Sequence, residues 1–515
     1  MDKLLKFFLS KDSYPSKPDA VKHYETHISH VFLVGDFVYK IKKPVKFDFL
    51  DFSTLRKRLY FCKREVRLNS FLAKDCYFGV KRIYENDGKL SFKKTKGSKV
   101  YEYAVLIKRF DESLILSNLI NEGELLTDKI AELAKIISNF HRKVPVFKGP
   151  YYGGYSAVKR DNDENLQEIK SFVGITLQQK SFETIKFYTE NFLLEHRKTF
   201  KKRKSLGFIR EIHGDLHTKH IVLSKPVVIF DCIEFNDRFR IDDVLTDIAF
   251  LLMDLEFLGR FDLSSLLYDI YFKINDRFKN DDLLKFFKVY RAVVRGKIES
   301  FTANGTEEKE TRLKALKRAK DYFALACNYI TNDKAFNPLI FMGLSGSGKS
   351  SVAKQFSQNM LILRSDEIRK KMAGSTKVGG KKFAVDKGIY APEMTEKTYK
   401  ALLEHTVRAA TEGKRVVVDA TFLKRWQRSL FLENAKKGGL NPLFIYFTAP
   451  DDLLLKRVAQ RRRERKDLSD ADESVLKHQL QTFEYPDELP SFRLMKLKNT
   501  GALKAVTKNI EVLLQ

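Results

Sequence analysis

Cysteine is scarce. The four in 515 residues, Cys62, Cys76, Cys232 and Cys327, form no CxxC pair and no cysteine–histidine spacing of the kind that holds zinc. A disulfide framework and a structural zinc site are therefore excluded, and a reducing compartment is expected. Long apolar runs are also missing. A membrane helix needs roughly 20 apolar residues, and the best stretch, 248–258, carries Asp254 and Glu256. The apolar patch at 1–10 is interrupted by Lys6 and followed by Lys11 and Asp12, too short and too charged for a secretory leader. A cytoplasmic protein with no membrane partner is expected. Repeats and low-complexity segments are absent. A hydrophobic content of 43%, with 42 Phe and 21 Tyr, supplies enough apolar side chains for folded cores and argues against disorder. Acidic residues are the minority charge, 66 against 95 Lys and Arg, a formal net charge of +29. Such a field attracts anions, whether nucleotides, phosphorylated substrates or nucleic acid. A lysine-rich proteome is the plainer explanation.

A chain of this length exceeds what one hydrophobic core supports, so two or more domains are expected. The clearest break is the polar stretch 331–338, which follows a Lys/Ala/Leu-rich helical run over 310–329 and ends in Pro338. We place the boundary between 1–335 and 336–515. The first part opens with strand-like segments at 31–34 and 37–41 around a Gly35-Asp36 turn. A helix follows over about 53–72, then more strands to about 109, and beyond 110 the pattern is helical. That order predicts two lobes with a cleft between them, an α+β arrangement. The second part alternates short apolar strands at 339–342, 416–419 and 443–447 with helices, which predicts an α/β doubly wound parallel sheet.

The strongest motif is GLSGSGKS over 343–350, between a predicted strand and a predicted helix. Gly343, Gly346 and Gly348 let successive backbone amides, including those of Ser345 and Ser347, turn toward one anion. The following helix start, with Ser350 and Ser351, adds its positive end. Lys349 is expected to reach the β- and γ-phosphates of ATP, and the Ser350 hydroxyl to ligate Mg²⁺. Asp419, at the end of the strand 416–419, is placed to hold the magnesium shell, to activate a nucleophile, or simply to cap a helix. Asp366 is a candidate to accept a substrate hydroxyl proton, and Arg369 to bind phosphate. Arg457 and the run 461–463 lie on a predicted lid helix, where cations can neutralise charge during transfer or form a solvated face. Residues 469–471 read as a helix-capping signal. Together GLSGSGKS, SDEIRK, DAT and RxxxRRR…SDA resemble P-loop kinases related to polynucleotide kinase and gluconate kinase. The resemblance implies phosphorylation of a hydroxyl on a small molecule or a nucleic-acid end.

In the first part, Asp215 lies in a short loop (HGDLHTKH, 213–220) and Asp231 ends the apolar segment 227–231. Asp215 suits orientation and deprotonation of an acceptor, and Asp231 suits Mg²⁺. This pattern resembles the catalytic loop and metal aspartate of aminoglycoside phosphotransferases, distant relatives of protein kinases. The family pattern HGDxHxxN is met except at its last position, where His220 replaces a magnesium-binding asparagine. Imidazole is the poorer partner for a hard cation. By the same resemblance Lys40, rather than Lys42 on the same strand face, is the nucleotide lysine, with Glu65 as its ion-pair partner. Asp247 is expected to brace the loop, and Arg238 and Arg240 to contact an anionic substrate or to pair with Asp242 and Asp243. The whole chain resembles bacterial fusions of these two kinase types. An ATP- and Mg²⁺-dependent phosphotransferase acting on an unknown hydroxyl acceptor is expected. The alternative is a nucleotide-dependent nucleic-acid-binding or regulatory protein with a degenerate kinase-like part, to which the positive charge and His220 point. Antibiotic inactivation fits poorly, because aminoglycosides are cations. The sequence leaves the oligomeric state open.

Overall fold

The computed structural model describes residues 2–47, 49–332, 335–374, 388–464, 472–501 and 503–514. Among them, the N-terminal portion begins with a six-stranded sheet in the order Val21–Glu25, Ser29–Val34, Phe37–Lys42, Lys99–Lys108, Tyr77–Asn86 and Lys89–Ser91. Every neighbouring pair is antiparallel. Val34 faces Phe37 across the tight turn, and Gly35 supplies the positive φ of 56° that such a short connection demands. Strand alternation divides the sheet between two cores. Ala104 packs on one face with Phe32, Ile41, Ile83 and the helix Asp2–Leu9. Tyr103, Val105 and Ile107 pack on the other with Cys62 of the helix Leu55–Asn69. Thr54 caps that helix by accepting from the Lys57 amide.

The helical lobe is centred on Val244–Phe257, in which every residue is buried. A helix apolar all round must be enclosed, and Thr127–Lys143, Phe261–Ile274 and Asp281–Gly305 enclose it. The segment 213–231 runs between the sheet and this lobe. It is pinned by a short hairpin of Ile221–Val222 with Val228–Ile229.

The C-terminal portion holds a five-stranded sheet in the order Leu361–Arg364, Val416–Asp419, Leu339–Met342, Leu443–Thr448 and Leu494–Lys498. All its pairings are parallel. Ile340 and Met342 face Tyr399, Leu402 and Phe431 on one side. Leu339 and Phe341 face Val352, Val506 and Ile510 on the other. Helices on both faces explain why these strands read as continuous apolar runs. The expected fold class, a two-lobed α+β part followed by a doubly wound α/β part, is the one observed.

The edge strand Leu494–Lys498 is not among the strands read from sequence, because lysines alternate with its apolar residues. It lies against the N-terminal portion. The Lys498 amide donates to Gly123 O at 2.8 Å. Asp321 accepts from the Ser491 amide and hydroxyl at 3.1 and 2.8 Å. Gly259 has φ 74°, and a Cβ there would meet Leu494 O at 2.1 Å. Gly259→Ala should therefore combine left-handed strain with a backbone clash. The expected loss is about 2 kcal/mol or more in chemical unfolding; unchanged stability would show that this contact yields freely.

Candidate active sites

The phosphate-loop site begins where the central strand Leu339–Met342 ends. Gly343, Gly346 and Gly348 adopt φ of 136°, 83° and 90°. A Cβ at Gly343 would lie 2.4 Å from Phe447 O, and at Gly346 2.8 Å from Leu454 O. Glycine is needed at both for conformation and for space. The loop is braced from outside: the Ser345 amide donates to Gln479 Oε1 at 2.9 Å, and Asn499 Nδ2 donates to Ser347 O at 2.9 Å.

Lys349 starts the helix Lys349–Gln355. Its ammonium is buried and donates to Gly343 O at 2.8 Å and Leu344 O at 3.0 Å. Burial pushes its pKa down to about 8, against the opposing pull of Asp419 and Asp366. Asp419 accepts from Arg364 Nε at 3.3 Å. Asp366 sits in the first turn of Ser365–Met372. Burial raises its pKa and Asp419 adds to this, while Arg369, Arg364 and Lys349 oppose it. Arg369 is itself buried, its guanidinium 4.8 Å from the Tyr390 ring centre. Its Nε has no hydrogen-bond partner among the described residues. Lys349, Asp366, Asp419 and Arg369 thus share one electrostatic neighbourhood. Ser350 is half-buried beside them and Ser351 is exposed.

Arg457, on the helix Asp451–Glu464, is not a lid cation facing the cleft. Its Nη1 donates to Asn499 O at 3.0 Å and Gly346 O at 3.4 Å, so it supports the loop backbone. The side chains of Arg462 and Arg463, and residues 469–471, lie outside the described residues. Beside Ser347, a cavity of about 190 Å³ is lined by Leu344, Tyr446 and Phe483, too small for a whole nucleotide.

The second cluster lies between the N-terminal lobes. Lys40 Nζ is 2.5 Å from Asp231 Oδ1 and 3.0 Å from Glu65 Oε1. Lys42 is more deeply buried and pairs with Glu65 at 2.7 Å and with Glu234. Lys40 is thus the lysine facing the cleft. Asp231 takes φ 63°, and its amide donates to the Tyr77 hydroxyl at 3.3 Å. Burial opposes ionisation of Asp215, but His217, His220 and Arg295 outweigh it and hold this carboxyl well below the ordinary range. Asp247 accepts from the His213 amide at 2.7 Å and the Gly214 amide at 2.9 Å. Asp254 holds the other half of the loop, through the Thr218 amide at 2.9 Å and hydroxyl at 2.6 Å.

The expected pairing of Arg238 and Arg240 with Asp242 and Asp243 is wrong. Arg238 reaches Asp161 at 2.6 Å, and also Glu164. Arg240 reaches Asp237 at 2.6 Å and Glu211 at 2.9 Å. Asp243 instead caps Val244–Phe257 and pairs with Arg203. Sequence reasoning also missed Gln479 and Asn499, whose roles as braces for the phosphate loop follow from tertiary contacts alone.

Residues 339–486 match the family model described as an AAA domain. Uncharacterised proteins of Mycobacterium tuberculosis and Mycobacterium bovis are each 28% identical over 403 residues, 77% of this chain and 78% of theirs. Similar solved structures include a gluconokinase from Sinorhizobium meliloti, 22% identical, covering 35% of this chain and 94% of its own, with a TM-score of 0.26. Another is a choline kinase from Cryptosporidium parvum, 12% identical, covering 62% and 94%, with a TM-score of 0.38.

Because Asp247 holds two buried amides of the loop, Asp247→Ala should leave both unpaired. The expected cost is about 3 kcal/mol of stability, with faster amide hydrogen exchange concentrated at 213–220. Exchange unchanged in that segment would remove Asp247 from its bracing role.

Proposed function

We propose that the chain is an ATP- and Mg²⁺-dependent phosphotransferase acting on a hydroxyl, with its principal active site at the phosphate loop. The observation that carries this reading is the convergence of Lys349, Asp366 and Asp419 at the carboxyl ends of a parallel sheet, where such sheets bind ligands. The loop amides hold the phosphate tail. Lys349 exchanges the carbonyls of Gly343 and Leu344 for phosphate oxygens. Ser350 and Asp419 offer the hard oxygen donors that suit Mg²⁺. Mg²⁺ there supplies charge neutralisation on the phosphates.

Asp366 accepts the proton of the acceptor hydroxyl as that oxygen bonds to the γ-phosphorus and the bond to the β,γ-bridging oxygen breaks, releasing ADP. Its raised pKa makes it a better base than an exposed aspartate. Arg369 offers an Nε–H, unpartnered among the described residues, to the acceptor or the transferred group. The N-terminal cleft, with Lys40, Glu65, Asp215 and Asp231 together, supports a second nucleotide-binding site. We place the boundary between the two units at 335/336 and the enzyme in the cytoplasm. The excess of positive charge favours an anionic acceptor, with a nucleic-acid end as one form of it.

Two outcomes test the phosphate-loop assignment. Asp366→Asn should lower acceptor-dependent ADP release by about 10²- to 10⁴-fold while ATP affinity holds; wild-type turnover would remove Asp366 as the base. The pKa of Lys349 gives the second. Bound phosphates favour its charged form, so binding should take up a proton once the pH reaches about 8. ATP affinity should fall about tenfold from pH 7 to 9, with proton uptake visible by calorimetry in buffers of different ionisation heat. The same slope in Lys349→Met would assign the effect elsewhere.

A further inference from the structure

The N-terminal cleft carries a ligand set that does not match Mg²⁺. His220 Nδ1 is 3.0 Å from Asp215 O. A carbonyl oxygen only accepts, so Nδ1 carries a proton, and in the neutral ring Nε2 then holds a free lone pair. That lone pair faces Asp231 Oδ2 at 3.6 Å. Two acceptors turned toward each other at this distance repel unless a proton or a metal ion lies between them. Ligands about 2.0–2.2 Å from one ion at a tetrahedral angle are roughly 3.5 Å apart, so the separation fits a shared metal. A backbone carbonyl on the far nitrogen is also how metal-bound histidines are commonly oriented. Lys40 meets the other carboxylate oxygen, Oδ1, and leaves Oδ2 to the histidine.

Asp215, His217 and His220 also offer ligand atoms within 4.8 Å of one another, but His217 drops out on the same reasoning. Its Nδ1 accepts from the Lys219 amide at 3.3 Å. Its proton is therefore on Nε2, 3.5 Å from Asp215 Oδ2. His217 is a positioning residue for Asp215, and the metal pair is His220 with Asp231.

We propose that the divalent ion of the N-terminal cleft is a first-row transition-metal ion held by His220 Nε2 and the Asp231 carboxylate, in preference to Mg²⁺. Imidazole nitrogen suits such ions, whereas Mg²⁺ takes oxygen donors and gives up water reluctantly. The proposal rests on the reading that this cleft binds a nucleotide through a metal. Mn²⁺ is the weakest binder of the series, so a preference for Mn²⁺ over Mg²⁺ is a conservative test.

The full-length chain carrying Ser350→Ala, which weakens the phosphate-loop metal site, is titrated with MnCl₂ without nucleotide. Free Mn²⁺ is followed by electron paramagnetic resonance, MgCl₂ serves as competitor, and bound Mn²⁺ is examined for nitrogen spin-echo modulation. Mn²⁺ should bind at least about tenfold more tightly than Mg²⁺ and show imidazole nitrogen. Adding His220→Asn should abolish the modulation and weaken Mn²⁺ by about tenfold or more, bringing the two ions closer together. His217→Gln should keep the modulation. Equal affinity for the two ions, or modulation that survives His220→Asn, overturns the proposal while leaving the nucleotide reading intact. If the Ser350→Ala chain takes up neither ion, nor a fluorescent ATP analogue with either, both fall together.

Discussion

The buried ammonium of Lys349 sets the terms for the C-terminal site. It donates to the carbonyls of Gly343 and Leu344, which satisfies a charge that would otherwise oppose burial. The loop around it keeps three glycines at positive φ and is held from outside by Gln479, Asn499 and Arg457. Pre-organisation of this kind means that few backbone torsions need fixing when an anion arrives. The depressed pKa of Lys349 and the raised pKa of Asp366 have the same leading cause, removal from water. Each is nearer to exchanging a proton at neutral pH than its exposed counterpart.

The two candidate catalytic aspartates are tuned in opposite directions. Asp366 is half-buried and lies near another carboxylate, Asp419, so its charged form is disfavoured. Asp215 is half-buried beside His217, His220 and Arg295, so its charged form is favoured. A carboxylate held so firmly ionised is a weak proton acceptor and a strong hydrogen-bond acceptor. It suits orienting a hydroxyl more than deprotonating it. The contrast makes Asp366 the better-equipped candidate base.

Local chemistry was legible in the sequence and long-range chemistry was not. GLSGSGKS announces its own loop because the constraint acts within eight residues: small side chains, positive φ, then a helix. The strands 339–342 and 416–419 were readable because burial on both faces leaves no polar position before the terminal Asp419. Leu494–Lys498 escaped because an edge strand alternates, and alternation this short also suits a loop or an amphipathic turn. Asn499 and Gln479 brace the loop from 152 and 134 residues away, a separation no local pattern encodes. Arg238 was assigned to the acids nearest in sequence, yet its partner Asp161 lies 77 residues back. Lys40 and Lys42 share a strand face, and alternation alone could not rank them; Glu234 settles the matter by engaging Lys42.

The edge strand Leu494–Lys498 has one further consequence. On one side it pairs with Leu443–Thr448. On the other, Lys498 is tied to Gly123, and Lys496 Nζ reaches Asn121 O. If the C-terminal half were expressed alone, that margin would lose its cover and present bare amide and carbonyl groups, an invitation to self-association. The two halves are thus bound by more than a peptide tether: the N-terminal half shields the adhesive rim of the C-terminal sheet.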